Sequence, residues 1–269
     1  MAFFAKGRRL AVAIVAMLGL ATGAAEAAKC GNTGGGFEAW KAQFAAEAGL
    51  SGKAASALAG TSYSTKTISA DRNQKSFKLS FEQFMAKRGG KAIASKGKSL
   101  KKQNAALFQS IEARYGVPAG PLIAIWGMET GFGSFMGNAN TLSAVATLAY
   151  DCRRTEYFTN QLNAALKLVQ NGTLSASSTG AMHGEVGQTQ FLPANVLKYG
   201  VDGNGDGRVD LKNKADALAS TANFLRGHGW RKGGGYQQGQ GNFGAIQGWN
   251  AASVYQRAIA VIGAEIDGG

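Results

Sequence analysis

The segment from Leu122 to Met128 (LIAIWGM) constrains this chain more than any other. It carries no charged or hydroxylated side chain, follows Gly116-Val-Pro118, and closes on Glu129-Thr-Gly131-Phe-Gly133. Proline near the start and glycine just past the end is the asymmetry an α-helix favours, so the spacing predicts an apolar helix that stops at a carboxylate. Helical patterning recurs elsewhere. Phe37, Trp40, Phe44 and Ala48 share one face within residues 37–50, and Phe77, Phe81, Phe84 and Met85 form a stripe within 71–115. Further helices are expected over 142–150, 155–169, from Pro193 to near Tyr199, 216–226 and 253–265. Strand signals are few. The expected fold is mainly α (α+β), with one short hairpin near the acidic loop at 202–210.

The chain's beginning has a different character. Lys6, Arg8 and Arg9 precede an apolar run from Leu10 to Leu20, and Ala25-Glu26-Ala27 places small residues where a signal peptidase reads. This is the layout of a secretory signal peptide over residues 1–27. The run is too short for a membrane span, which needs about 20 apolar residues. Cys30 and Cys152 would then enter an oxidising compartment. Two free thiols are one alternative; a structural disulfide closing a long loop, worth roughly 2–5 kcal/mol, is the other and the favoured one.

With 45% hydrophobic and 17% charged residues in 269, the chain can bury a core and is not wholly disordered. The formal charge of +13 asks for an anionic partner. From Lys66 to Lys102 the chain carries 11 basic residues against Asp71 and Glu82. For an exported protein that partner is cell-wall polymer, not nucleic acid. Two cysteines and two histidines exclude repeated zinc fingers. Position 92 is alanine where a P-loop ending at Gly97-Lys98-Ser99 needs glycine, and Met136 breaks a dinucleotide fingerprint begun at Gly131. G-x-S-x-G and H-E-x-x-H are absent from the sequence.

Three stretches carry candidate chemistry. Glu129 follows Ile125 and Trp126 and precedes Phe132; apolar walls penalise an ionised carboxylate, and a carboxyl that keeps its proton near neutrality is what glycosidic cleavage needs. Asp202-Gly-Asn204-Gly-Asp206-Gly207-Arg208 places oxygen ligands as the first half of an EF-hand calcium loop does, although Asn213 stands where the closing glutamate belongs. Gly184-Glu185-Val-Gly187-Gln188-Thr-Gln190-Phe-Leu-Pro193 offers two amides, Gln188 and Gln190, suited to sugar hydroxyl and acetamido groups.

Together these stretches resemble the B-type lytic murein transglycosylases. The matching segments are IWGMETGFG (125–133), TLAYDCRRTEYF (147–158), GEVGQTQFLP (184–193), VDGNGDGRVDL (201–211), ASTANFLRGHGW (219–230) and WNAASVYQRAIAV (249–261), in order over about residues 37–266. The resemblance implies a lysozyme-like catalytic domain over 28–269; as a departure from the pattern, no separate carboxyl-terminal peptidoglycan-binding domain is expected. It implies Glu129 as the single acid/base cleaving the MurNAc–GlcNAc bond and closing a 1,6-anhydro ring. Gln190, Arg153, Arg154, Phe224, Trp249, Asn250 and Tyr255 would meet the substrate, and Asp202, Asn204, Asp206, Arg208 (by its carbonyl) and Asp216 would hold a structural Ca²⁺, with no organic cofactor. Ala181 stands where some relatives have serine, and Glu185 where they often have a small apolar residue, making Glu185 a supporting or substrate-contact candidate. The expected protein is a periplasmic monomer on peptidoglycan glycan strands, neither membrane-spanning nor bound to nucleic acid. Hydrolysis by a muramidase and noncatalytic wall binding are the alternatives.

Overall fold

The computed structural model describes residues 29–73 and 79–268; the expected leader and Phe77 lie outside the described residues. In chain order the helices are α1 (Phe37–Glu47), α2 (Gly52–Ala59), α3 (Thr65–Arg72), α4 (Phe81–Arg88), α5 (Gly90–Gln103), α6 (Ala105–Tyr115), α7 (Ala119–Thr130), α8 (Thr141–Tyr150), α9 (Thr155–Gln170), α10 (Pro193–Tyr199), α11 (Lys214–Gly227), α12 (Phe243–Trp249) and α13 (Ser253–Asp267). The fold is mainly helical, as the periodicity predicts. Among the described residues no helix is long and apolar enough to cross a membrane.

The apolar segment becomes α7. Pro118 is its N-cap, and Gly131, at φ +58, ends it in the left-handed conformation that glycine adopts without steric cost. Every residue of α7 is buried except Glu129. A helix apolar all round must be enclosed, and α5, α6, α11 and α13 enclose this one in the larger of two hydrophobic clusters. The smaller cluster packs α1 and α2 on α8 and α9, through Phe37, Trp40, Leu148 and Leu162.

The pairing of α7 with α13 positions the site. A Cβ on Gly120 would lie 2.2 Å from the Gly263 carbonyl oxygen, so the two backbones cross at van der Waals range only because the residue is glycine. Asp267, at the end of α13, accepts the Gly120 N–H at 2.8 Å at the start of α7, and Tyr236 donates to the same carboxylate at 2.7 Å. With the helices locked antiparallel at that end, the first turn of α13 lies beside the last turn of α7.

The strands fall away from the acidic loop. β1 (Ala139–Asn140) pairs antiparallel with β2 (Thr179–Gly180), Ala139 opposite Gly180 and Asn140 opposite Thr179, and Val186 bridges Phe191. The hairpin expected near 202–210 is therefore misplaced. In that loop the backbone N–H groups are taken by carboxylates and not by a ladder. Helices α2, α3 and α12 have no counterpart in the expectations. Cys30 is joined to Cys152 with Cα atoms 4.9 Å apart, fastening the start of the described chain to the turn between α8 and α9.

Candidate active site

Glu129 sits in the last turn of α7, half-buried on the wall of a cleft of about 370 Å³. The cleft also takes in Tyr157 from α9, Ala181, His183, Glu185 and Gln190 from the loop before α10, Phe224 from α11, and Gly248, Trp249 and Asn250 at the end of α12. Two donors converge on one oxygen of Glu129. Tyr255 donates to Oε1 at 2.6 Å and the Trp249 indole at 3.1 Å. Oε2 has no hydrogen-bond partner among the described residues.

Burial raises the Glu129 pKa above its ordinary value; the two hydrogen bonds and the Arg88 guanidinium pull the other way, and the Glu185 charge adds to the rise. The net direction is upward, so the group holds its proton into a higher pH range than a solvated carboxyl. With Oε1 occupied as an acceptor, Oε2 is the oxygen left open to a proton. Burial and the Glu129 charge push Tyr255 well above its usual value, so it remains a donor.

The cleft wall differs from the one the sequence suggests. Trp126 turns to Phe132, edge to face at 5.3 Å between ring centroids, and to Gln188. The groups that meet the Glu129 carboxyl come from α12 and α13. Tyr255 is 4% exposed and serves the carboxyl, so the expectation of direct substrate contact is corrected. Trp249 does both, lining the cleft and donating to Glu129. Phe224 lines the cleft but is 3% exposed with one face stacked on His228, which leaves little ring for a sugar. Asn250 lines the cleft while its Oδ1 accepts the Ala252 N–H at 2.9 Å at the start of α13.

The two amides part company. Gln188 lies outside the cleft lining, and both ends of its side chain are spent. Its Oε1 accepts from the Trp126 indole at 2.8 Å and its Nε2 donates to the Lys212 carbonyl at 2.6 Å. A sugar-binding role for Gln188 is therefore corrected to a tie between α7 and the strand of chain after the acidic loop. Gln190 does line the cleft. The Val186–Phe191 bridge squeezes residues 187–190 into a tight loop, which puts Gln190 at φ +57, and Nε2 donates to the Gly187 carbonyl at 2.8 Å. A non-glycine residue held there costs energy, the kind of local strain that collects at functional sites. Phe132, at φ +66 just past α7, is the other such residue.

Arg153 and Arg154 do not line the cleft. Both pair with buried Asp71 at the end of α3, and Arg72 pairs with Asp151 at 3.2 Å. The cluster reaches the cleft through His183, whose Nε2 stands 3.6 Å from Asp71 and whose Nδ1 stands 3.5 Å from Glu185. Arg88, Tyr157, His183 and Asn195 went unnoticed in the sequence. Only His183 had a local signal, a histidine two residues before Glu185.

The acidic loop is built around two carboxylates. Asp202 accepts the N–H groups of Gly205 at 2.6 Å and Gly207 at 2.7 Å, which hold its pKa below the ordinary value. Asp216, fully buried in the first turn of α11, accepts from Gly203, Asn204 and Asp210 at 2.8–3.2 Å. It closes the loop where Asn213 does not, because Asn213 is the N-cap of α11 and accepts the Ala215 N–H. Among the described residues no three Asp, Glu, His or Cys side chains are grouped as a metal site. The donor set is all oxygen and fits a hard cation only if the Asn204 amide and the Arg208 carbonyl complete it.

A mainly helical fold with a cleft glutamate at the end of its most enclosed helix, its pKa raised by burial, is an arrangement suited to cleaving a glycosidic bond. The profile of the transglycosylase SLT domain family matches residues 36–240, and the chain belongs to that family. Membrane-bound lytic murein transglycosylase B of Escherichia coli (strain K12) is 39% identical over 123 residues, 44% of this chain; the chain spans about a third (34%) of that relative's length. SltB3 from Pseudomonas aeruginosa, solved in complex with NAG-NAM-pentapeptide, superposes with a TM-score of 0.78 at 31% identity, over 87% of this chain and 80% of that one. Escherichia coli Slt35, solved in complex with calcium, shares the fold with a TM-score of 0.74 at 21% identity, over 90% and 96% of the two chains.

Proposed function

We propose that the protein is a lytic transglycosylase of peptidoglycan, cleaving the MurNAc–GlcNAc bond and leaving 1,6-anhydromuramic acid ends. The observation that carries this reading is the arrangement at Glu129: one oxygen pinned by Tyr255 and Trp249, the other unpartnered among the described residues and set in a cleft where burial favours the protonated form. In that geometry Oε2 gives its proton to the oxygen between the two sugars as the bond to C1 breaks. The resulting carboxylate, stabilised by the same two donors, then accepts the proton of the muramic acid C6 hydroxyl as that oxygen bonds to C1. The proton lost in the first step is recovered in the second, and no water is consumed. The SltB3 complex with NAG-anhNAM-pentapeptide supports this, because the sugar named there is the anhydro form. Gln190 Oε1 and the Asn195 side chain, both without hydrogen-bond partners among the described residues and both on the cleft wall, suit sugar hydroxyl and acetamido groups.

Two further features belong to the same proposal. The leader over residues 1–27 and the Cys30–Cys152 pair suit an exported protein, and the exposed lysines of α4 and α5 suit an anionic wall. Asp202, Asn204, Asp206 and Asp216, with the Arg208 carbonyl, would hold calcium; the ion would fix the loop, and with it Lys212 and Gln188 behind α7.

The test is product analysis on purified murein. Wild type should release anhydro-ended fragments, and Glu129→Gln should lower the rate by at least about 10³-fold, since it removes the only proton carrier of both steps. Reducing ends would overturn the transglycosylase reading in favour of hydrolysis. Equal inertness of wild type and Glu129→Gln, with binding intact, would overturn catalysis altogether.

A further inference from the structure

A second carboxylate faces Glu129 across the cleft. Glu185 lines the same 370 Å³ space, its side chain 24% exposed. Its backbone is fixed. The Glu185 carbonyl accepts the Ala181 N–H at 2.9 Å, and a Cβ on Gly180 would fall 1.9 Å from that oxygen, so strand β2 and the 181–185 turn meet only because residue 180 is glycine. Its carboxylate is fixed too. The His183 N–H donates to Oε2 at 3.2 Å, and the His183 ring stands 3.5 Å from Oε1 with its far nitrogen 3.6 Å from Asp71. Asp71 in turn holds Arg153 and Arg154. The chain of contacts therefore runs from a disulfide-anchored turn, through two arginines, an aspartate and a histidine, to a carboxylate on the cleft wall.

We propose that Glu185, clamped by His183, is a positioning residue whose negative charge acts on the reaction through the field it sets in the cleft. This rests on the transglycosylase reading of Glu129. The same charge has two consequences. It opposes the ionisation of Glu129 and so keeps the acid loaded before the sugar bond breaks. It also favours the positive charge that develops at C1 as the bond breaks, a role that fixed charges in a water-poor cleft perform well. The other groups bearing on Glu129 are Tyr255 from α13, Trp249 from α12 and Arg88 from α4, all of which favour its ionised form. Tyr157 from α9 and His183 face Glu185, and burial, with the Glu185 charge added to it, raises the Tyr157 pKa. Among the described residues Glu185 is thus the charged group that adds to burial in disfavouring the ionised form of Glu129.

Glu185→Gln keeps the shape and the hydrogen-bonding capacity while removing the charge. Its kcat should fall about ten-fold with KM little changed, and the alkaline limb of the pH–rate profile should move down by about half a unit. Glu185→Asp should restore part of both. A merely structural role would lower the melting temperature without moving the limb. Titration of the Glu129 carboxyl by ¹³C NMR, without substrate, should show the same downward shift in Glu185→Gln. That measurement does not depend on turnover, so it separates failure of this proposal from failure of the transglycosylase reading. Unchanged kcat, an unmoved limb and an unmoved Glu129 titration would overturn the proposal. So would a change in the ratio of anhydro to reducing ends, which would make Glu185 a base for water.

Discussion

The acidic loop and the cleft treat the same functional group in opposite ways. In the loop, Asp202 and Asp216 are wrapped by backbone N–H groups, and Asp202 is held below its ordinary pKa. In the cleft, Glu129 receives side-chain donors on one oxygen only, and burial holds it above its ordinary pKa. The loop makes carboxylates whose oxygens are filled by its own amides. The cleft makes a carboxyl on which burial favours the protonated form. The difference lies in who supplies the hydrogen bonds. A local loop rich in glycine turns its own amides inward, whereas a helix end has its amides already used and must borrow from distant elements.

The largest expected effect follows from the loop side. Asp216→Ala removes a fully buried carboxylate and strands the N–H groups of Gly203, Asn204 and Asp210. Unfolding in urea should show a loss of about 3 kcal/mol. Glu129 is untouched by that change, so kcat per folded molecule should stay near wild type. A large kcat loss at full folding would show that the two regions are not separate.

Gln188 is where they join, and its substitution comes next in size. Glutamine 188 links the Trp126 indole of α7 to the Lys212 carbonyl beyond the acidic loop. Gln188→Ala leaves the indole N–H of a 4%-exposed tryptophan without a partner, a cost of about 2 kcal/mol. Gln190→Ala, two residues on, should instead raise KM with little change in melting temperature, because Gln190 lines the cleft and its lost bonds are to the loop carbonyls of Gly187 and Met136. Reversed behaviour of the pair would restore Gln188 as a sugar ligand.

That pair also shows where sequence stops being informative. Helix α7 is legible as an unbroken apolar run between Pro118 and Gly131, and α8, α9 and α13 as apolar stretches of helical length. Helix α2 (GKAASALA) is only eight residues long with Leu58 as its one large apolar side chain, and α12 is embedded in a glycine-rich connection. Among site residues, Glu129 was legible from its place at the end of an apolar run. Its partners were not. Trp249 and Tyr255 lie 120 and 126 residues away, and only the antiparallel lock of α7 on α13 brings them to it. Gln188 and Gln190 look alike in sequence and differ only in what distant groups take up their amides.

Tyr255 gives the smallest effect and the sharpest test of the cleft side. Its hydroxyl stabilises ionised Glu129, so Tyr255→Phe removes a contribution that lowers the pKa and leaves burial less opposed. The Glu129 pKa must therefore rise, and the alkaline limb should move up by roughly half a unit, opposite in sign to Glu185→Gln. Near neutrality kcat should fall about five-fold, because the carboxylate formed midway through the reaction loses one of its two donors. Since Tyr255 also packs on Phe84 at 5.7 Å, phenylalanine keeps the ring contact and the fold. The double variant with Glu185→Gln should return the limb toward its wild-type position, as two opposed influences on one proton require. A limb that moves the same way in both single variants would mean that the proton being read is not the one on Glu129.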